Sequence, residues 1–287
     1  MARRYREKAY RCGDYLEVDI FPVFDAPRGR RRGRAKPTSA TQARLNQRNA
    51  ERALTRILNS NFGGEDVSVT LTFAPEFLPD TYEEAERLAK NFLRRVKRLR
   101  AKLGLAELKY VLIPGAGRFH FHIPMSGGID ARELQELWGY GYLNVLHFEM
   151  SERGLEGHAR YIASQFDGDE YGGEDLLSGL DIDEETGEVK SSRKKGKRRY
   201  SCSRNIVRPE AEERDGRISA ARVEELATVD SESRTAFEKL YPGYVFVGVR
   251  PYYNAEIGGY YLQVTMHKAS LRMKRPRGRI GVARSMP

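Results

Sequence analysis

Two histidines two positions apart, in Arg118-Phe119-His120-Phe121-His122, are the residues of this chain best spaced for chemistry. A β-strand has a side-chain period of two, so His120 and His122 project from one face while Phe119, Phe121 and Ile123 go to the other. Two imidazole nitrogens on one face can hold one divalent cation, and burying them without a partner is costly. A second candidate lies downstream in Gly157-His158-Ala159-Arg160-Tyr161-Ile162-Ala163-Ser164-Gln165-Phe166, a run with helical character. A tyrosine hydroxyl is a poor nucleophile at its reference pKa of about 10, but a nearby cation stabilises the phenolate and polarises a phosphodiester at the same time. His158 precedes Tyr161 by one helical turn and is spaced to accept the phenolic proton or orient the ring; it equally suits a residue that only fills surface space.

The elements that must position these groups follow from periodicity. Val67, Val69, Leu71 and Phe73 alternate with Ser68, Thr70 and Thr72, which predicts a core strand. Thr81 and Glu84 form a capping box, after which Leu88, Phe92, Val96 and Leu99 recur at helical spacing to about Leu103, with Lys90, Arg94, Arg95, Lys97, Arg98 and Arg100 opposite them. Leu108 to Ile113 and Phe119 to Met125 flank a tight turn and predict an antiparallel hairpin. Asp130 opens a short helix through Leu134, Leu137 and Trp138, Tyr142 to Met150 supplies another strand, and a helix from about Leu155 to Phe166 carries His158 and Tyr161. Upstream, Tyr15 to Phe24 reads as a strand and a helical pattern starts at Ser39. Downstream, Ala211 to Thr228 is polar with some helical character, and Tyr244 to Arg250 and Gly259 to Met266 read as two strands.

This order predicts an α+β fold: a central antiparallel sheet of about five strands with helices packed against a single face. Three regions follow. Residues 1–64 form a basic N-terminal extension with an edge strand and a helix. Residues 65–205 form the core, with an acidic insertion at about 167–192 whose length is unusual for an ordered connection. Residues 206–287 form a C-terminal extension with a two-stranded hairpin and a basic tail.

Lys and Arg outnumber Asp and Glu by 50 to 40, for a formal charge of +10 over 287 residues. The excess is concentrated in three blocks, Arg28 to Lys36, Arg193 to Arg199 and Lys268 to Arg279, for which a polyanion is the natural partner. Cys12 and Cys202 lie too far apart in sequence for a zinc cluster, which predicts free thiols in a reducing compartment. No apolar run approaches bilayer length and the Arg-rich start lacks the apolar segment of a signal peptide, so a cytoplasmic protein with no membrane partner is expected. No Gly-rich loop leads into Lys-Ser or Lys-Thr, so no fused ATP-driven helicase is expected.

Four stretches resemble the rolling-circle replication initiators of the His-hydrophobe-His (HUH) endonuclease superfamily found in phages, plasmids and integrative elements. They are Val69-Thr70-Leu71-Thr72-Phe73; Gly117 to His122 with Met125-Ser126-Gly127-Gly128; Glu136-Leu137-Trp138-Gly139; and Ala159-Arg160-Tyr161-Ile162. Arg199-Tyr200-Ser201-Cys202-Ser203-Arg204-Asn205 is similar to the Ser-Arg-Asn stretch that follows the family's tyrosine helix, so the resemblance covers about residues 65 to 205. It implies a ferredoxin- or RRM-like HUH fold and a metal-dependent nickase and strand transferase acting on single-stranded or hairpin origin DNA. It also implies Mg²⁺ or Mn²⁺ as cofactor, His120 and His122 as ligands, Tyr161 as the nucleophile that keeps the 5′ end, and a separate helicase and polymerase as partners. The alternative is a non-catalytic single-stranded nucleic-acid-binding protein that retains the scaffold.

Two departures from the family pattern bear on the site. Relatives commonly carry a glutamate near the end of the strand before the hairpin, where this chain reads Val111-Leu112-Ile113-Pro114-Gly115. Glu149 and His147, which share parity and one strand face, are candidate third ligands or an ordinary surface pair; Glu107 is another candidate but lies at the wrong end of its strand if the hairpin is tight, and waters and the DNA phosphate could instead complete the shell of a hard cation. Many relatives also place a lysine three residues after the nucleophile and some a second tyrosine four after it, where this chain has Ser164 and Gln165. A single nucleophile is therefore expected unless Tyr171 or Tyr200 enters the site. Arg118, Arg160 and Arg204 are the candidate DNA-binding cations that would compensate for the missing lysine, or else solvated surface charges.

Overall fold

The structure, a computed structural model, describes residues 4–23, 40–115, 118–164, 181–182, 189–190, 200–228, 231–254 and 258–271. The basic blocks at 28–36, 193–199 and 272–279, most of the acidic insertion, Gly117, Gln165 and Tyr171 lie outside these residues. In chain order the elements are β1 (Arg4–Cys12), β2 (Tyr15–Val23), α1 (Ala40–Asn61), β3 (Val67–Thr72), α2 (Tyr82–Lys102), β4 (Val111–Pro114), β5 (His120–Met125), α3 (Ala131–Trp138), β6 (Leu143–His147) and α4 (Glu156–Ser164). They continue with β7 (Asp181–Ile182), β8 (Val189–Lys190), β9 (Ser201–Cys202), β10 (Ala211–Asp215), α5 (Ala220–Leu226), α6 (Ser231–Leu240), β11 (Tyr244–Asn254) and β12 (Gly259–Lys268).

The fold is α+β, built on two five-stranded antiparallel sheets. One has the order β6-β3-β5-β4-β9, and its centre is the β4–β5 hairpin with β3 alongside. Local signals start its helices as the sequence predicts: the Thr81 hydroxyl accepts from the Glu84 amide at 3.3 Å, and the Asp130 carboxylate accepts from the Arg132 amide at 2.8 Å. Helices α2 and α3 bury Phe92, Val96, Leu134 and Trp138 against Val69, Leu71, Phe121 and Ile123 on one face. The expectation of helices on a single face is corrected by the other face. There Val111 and Ile113 meet α1 and α4 in a second cluster with Leu54, Leu58, Ile162 and Ala163. Buried residues of β4 alternate to both sides, so both faces need cover.

The second sheet has the order β10-β1-β2-β12-β11. The two terminal regions, which in sequence look like separate extensions, therefore pair with each other: β1 with β10, and β2 with β12. Leu16, Val18 and Ile20 face α5 and α6. Glu17 and Asp19, of opposite parity, face α1, where Arg56 donates to Glu17 at 2.9 and 3.0 Å and to Asp19 at 3.1 Å, and Arg52 pairs with both. Burial alone would raise the Glu17 carboxyl, but Arg52 and Arg56 bring it down to about 2. Helix α1 is thus held to one sheet by buried ion pairs and to the other by apolar packing. No helix among the described residues is long and apolar enough to cross a membrane, and Cys12 and Cys202 are free thiols.

Candidate active site

His120 and His122 occupy β5 and, by strand alternation, point away from Phe121 and Ile123, onto the face covered by α1 and α4. Their rings lie edge to face with centroids 5.0 Å apart. The His120 Nδ1–H donates to the Arg118 carbonyl at 2.8 Å, which leaves its Nε2 with a lone pair. Gly115 closes the hairpin beneath that ring: a Cβ there would collide with Nε2, Cε1 and Cδ2 on the ring's face, so only glycine leaves room for the imidazole. His122 is only 3% exposed. Its Nδ1 meets the Thr70 hydroxyl at 3.3 Å across the β3–β5 pairing, and its Nε2 is buried with no hydrogen-bond partner. Burial, and then the neighbouring charges of His120 and His158, lower the His122 pKa to about 4, so the ring is neutral near pH 7.

Helix α4 brings Tyr161 to this pair. Ala159, Ile162 and Ala163 bury one side of the helix in the cluster with α1, while Tyr161 is 53% exposed and its ring stands edge-on to His122 with centroids 5.9 Å apart. His158 packs its ring against Phe148 at 5.1 Å, and its Nε2 is likewise buried without a partner. Burial pushes the His158 pKa below the ordinary histidine range. Three of the sequence-derived groups therefore meet from two elements, His120 and His122 from β5 and Tyr161 from α4, and His158 of α4 acts electrostatically on His122.

Other sequence candidates are placed differently. β6 ends at His147, whose register partner Val67 belongs to the α2/α3 face, and Glu149 lies beyond the strand, exposed. Among the described residues no three or more His, Cys, Asp or Glu side chains are gathered to hold an ion. Glu149 is thus not gathered with the histidine pair, because the strand expected to carry it ends at His147 and leaves it exposed in the following segment. Glu107 pairs with Lys97 at 2.7 Å on the surface. Arg160 is engaged by Glu51 of α1 at 3.0 Å and Glu156 at 2.8 Å, Arg118 donates to the Phe73 carbonyl at 2.7 Å, and Arg204 is exposed in the turn after β9. Tyr200 is a core residue of the α1/α4 cluster, its hydroxyl buried and its pKa raised by that burial. The basic side of α2 belongs to the opposite face of the sheet from His122, and Arg100, grouped with it in sequence, is buried and donates to the carbonyls of Ala106 and Gly127.

Sequence reasoning missed Thr70, Gly115 and Phe148, which orient or make room for the three histidines. Only the register of β3 on β5 and the packing of α4 identify them.

The residues present fit a divalent cation in one respect: the buried, unpartnered Nε2 of His122 lies beside a second imidazole, His120, whose Nδ1 is the nitrogen engaged by the Arg118 carbonyl. Two protein ligands leave most of a coordination shell to waters and a bound phosphate. Neither family models, curated proteins nor solved structures yield a significant match to the chain.

Proposed function

We propose that this chain is a divalent-cation-dependent nickase and strand transferase for single-stranded DNA, with Tyr161 as the nucleophile. The observation that carries the reading is the convergence of Tyr161 on His122, a buried imidazole whose Nε2 is unpartnered, from a different element of the fold. A Mg²⁺ or Mn²⁺ ion held by His120 and His122 would supply charge neutralisation at the scissile phosphate. The Tyr161 hydroxyl oxygen attacks phosphorus, the bond to the 3′ oxygen breaks, and that oxygen leaves as the 3′ hydroxyl after taking a proton. His158, one helical turn before Tyr161, would take the phenolic proton once bound DNA brings the two side chains together; without DNA its buried Nε2 has no hydrogen-bond partner. The resulting phosphotyrosine ester keeps the energy of the broken linkage, so attack by a 3′ hydroxyl reseals DNA without ATP. These are the chemical requirements of rolling-circle initiation, with a separate helicase and polymerase doing the rest.

The surface around the site suits unpaired bases. Tyr142, Asn144 and Leu146 share the face of the sheet on which His122 lies, since Thr70 registers with both His122 and Asn144. Tyr142 is 78% exposed and Leu146 53%, an aromatic and apolar surface beside a phosphate-cleaving centre. Tyr142→Ala is expected to weaken binding of a labelled single strand about fivefold or more, as loss of one stacked base would, with the cleavage rate at saturating DNA little changed. Fluorescence anisotropy and single-turnover cleavage measure the two quantities.

A binding-only protein on the same scaffold is the second reading, favoured by the two-ligand metal site. Incubation of the full chain with end-labelled single-stranded hairpin DNA and Mn²⁺ separates the two. A denaturant-resistant protein–DNA adduct at the 5′ end supports the nickase; tight binding with neither adduct nor cleavage supports the alternative.

A further inference from the structure

Helix α4 starts from a turn, Ser151 to Gly154, that is gripped from two sides. Asn59, near the end of α1 and only 8% exposed, accepts the Leu155 amide on Oδ1 at 2.8 Å and donates from Nδ2 to the Arg153 carbonyl at 3.5 Å. Gly154 has φ +64°, and a Cβ there would lie 2.3 Å from Asn59 Oδ1, so the turn closes directly onto the amide. From the second sheet, the Tyr15 hydroxyl donates to the Ser151 carbonyl at 3.0 Å. Gly13, in the β1–β2 turn, comes so close to α1 that a Cβ would meet the Asn59 carbonyl at 2.6 Å.

Resting on the nickase reading above, we infer that Asn59 is a positioning residue for the nucleophile: it fixes where α4 begins and hence where Tyr161 stands against His122. The physical reason is the lever. Tyr161 lies six residues beyond Leu155, about 9 Å along a helix at 1.5 Å per residue, so a small tilt at the first turn moves the ring. An error near 1 Å in a reacting group can cost about two orders of magnitude in rate. The Asn59 side-chain hydrogen bonds go to Arg153 and Leu155, in the turn and at the start of the helix, so it acts through the turn and the helix it holds. The same contact makes the N-terminal strands part of the site, since Tyr15 and Gly13 press on the two sides of this hinge.

The test compares Asn59→Ala and Asn59→Asp in the full chain. Asn59→Ala is expected to lower the single-turnover rate at saturating DNA about tenfold while leaving the Kd for single-stranded DNA unchanged, to expose the Leu155 amide to hydrogen exchange, and to weaken the ring-to-ring NOE between His122 and Tyr161. Asn59→Asp keeps the acceptor for Leu155 and is expected to recover most of the rate. Gly154→Ala should slow the wild type more than it slows Asn59→Ala, because the side chain it collides with is gone in the latter. The inference is overturned if Asn59→Ala keeps the full rate, if affinity falls in step with rate, or if Asp does no better than Ala. Should the wild type form no adduct, the nickase reading fails by itself; the NOE and the exchange of Leu155 then decide the positioning claim, an unchanged NOE in Asn59→Ala sinking it.

Discussion

Tyr161→Phe is expected to abolish the covalent DNA adduct, reducing its rate of formation by at least about 10³-fold, because removing a nucleophile outright acts on that scale or above. The substitution deletes one oxygen from a side chain that is 53% exposed, and it leaves the ring that stands against His122 at 5.9 Å. Folding and single-strand binding should therefore match the wild type, which makes the loss attributable to chemistry. Among the described residues the other tyrosine considered for the role, Tyr200, is packed in the α1/α4 core and cannot take over without unfolding its surroundings. Denaturing gels with DNA labelled on either side of the nick would record the result. Persistent cleavage without an adduct in the Phe variant would mean that water or another group is the nucleophile, and the tyrosine mechanism would have to be abandoned.

The second large effect is on stability in mild acid. His122 has a folded-state pKa of about 4 against an ordinary value of 6.5, lowered by burial and by the charges of His120 and His158. A depressed histidine pKa means that the unfolded chain takes up a proton the folded chain refuses. Its stabilising contribution is thus complete above pH 6.5 and is lost as pH falls toward 4, by on the order of 3 kcal/mol. His158, also lowered by burial, adds in the same direction. Glu17, held down to about 2 by Arg52 and Arg56, stays ionised when folded and does not drive the change above pH 5. Urea titrations of the metal-free protein at pH 7, 6 and 5 should show the midpoint dropping, and His122→Gln should flatten the profile. Excess Mn²⁺ should raise the midpoint at pH 7, since a cation that binds only the folded protein stabilises it. A profile that is flat from pH 7 to 5, or identical in the Gln variant, would refute the buried-histidine account.

Much of the local structure was legible in the residues. Alternation in Phe119-His120-Phe121-His122 set the two imidazoles on one face, because side-chain direction in a strand is a property of the strand itself. Thr81 and Asp130 announced the starts of α2 and α3 for the same kind of reason: each hydrogen-bonds to an amide two or three residues on. The spacing of Leu88, Phe92 and Val96 likewise needed no knowledge of the partner surface to read as a helix.

What the sequence alone could not decide was which surfaces meet. The pairing of β1 with β10 joins Arg6 to Asp215, and nothing local in either segment states that partnership. Arg160 looks like a free cation beside a nucleophile until Glu51, 109 positions earlier, is placed next to it. Arg100 looks like part of a solvated basic stripe until the loop at Ser126 and Gly127 folds over it. The packing of α1 and α4 on the histidine face, the hold of Asn59 on the tyrosine helix, and the placing of Glu149 beyond the end of β6 are of the same kind. Short-range dihedral preference writes the elements and the direction each side chain takes. The choice of neighbours is made only when apolar burial and ion pairing between distant segments are satisfied together.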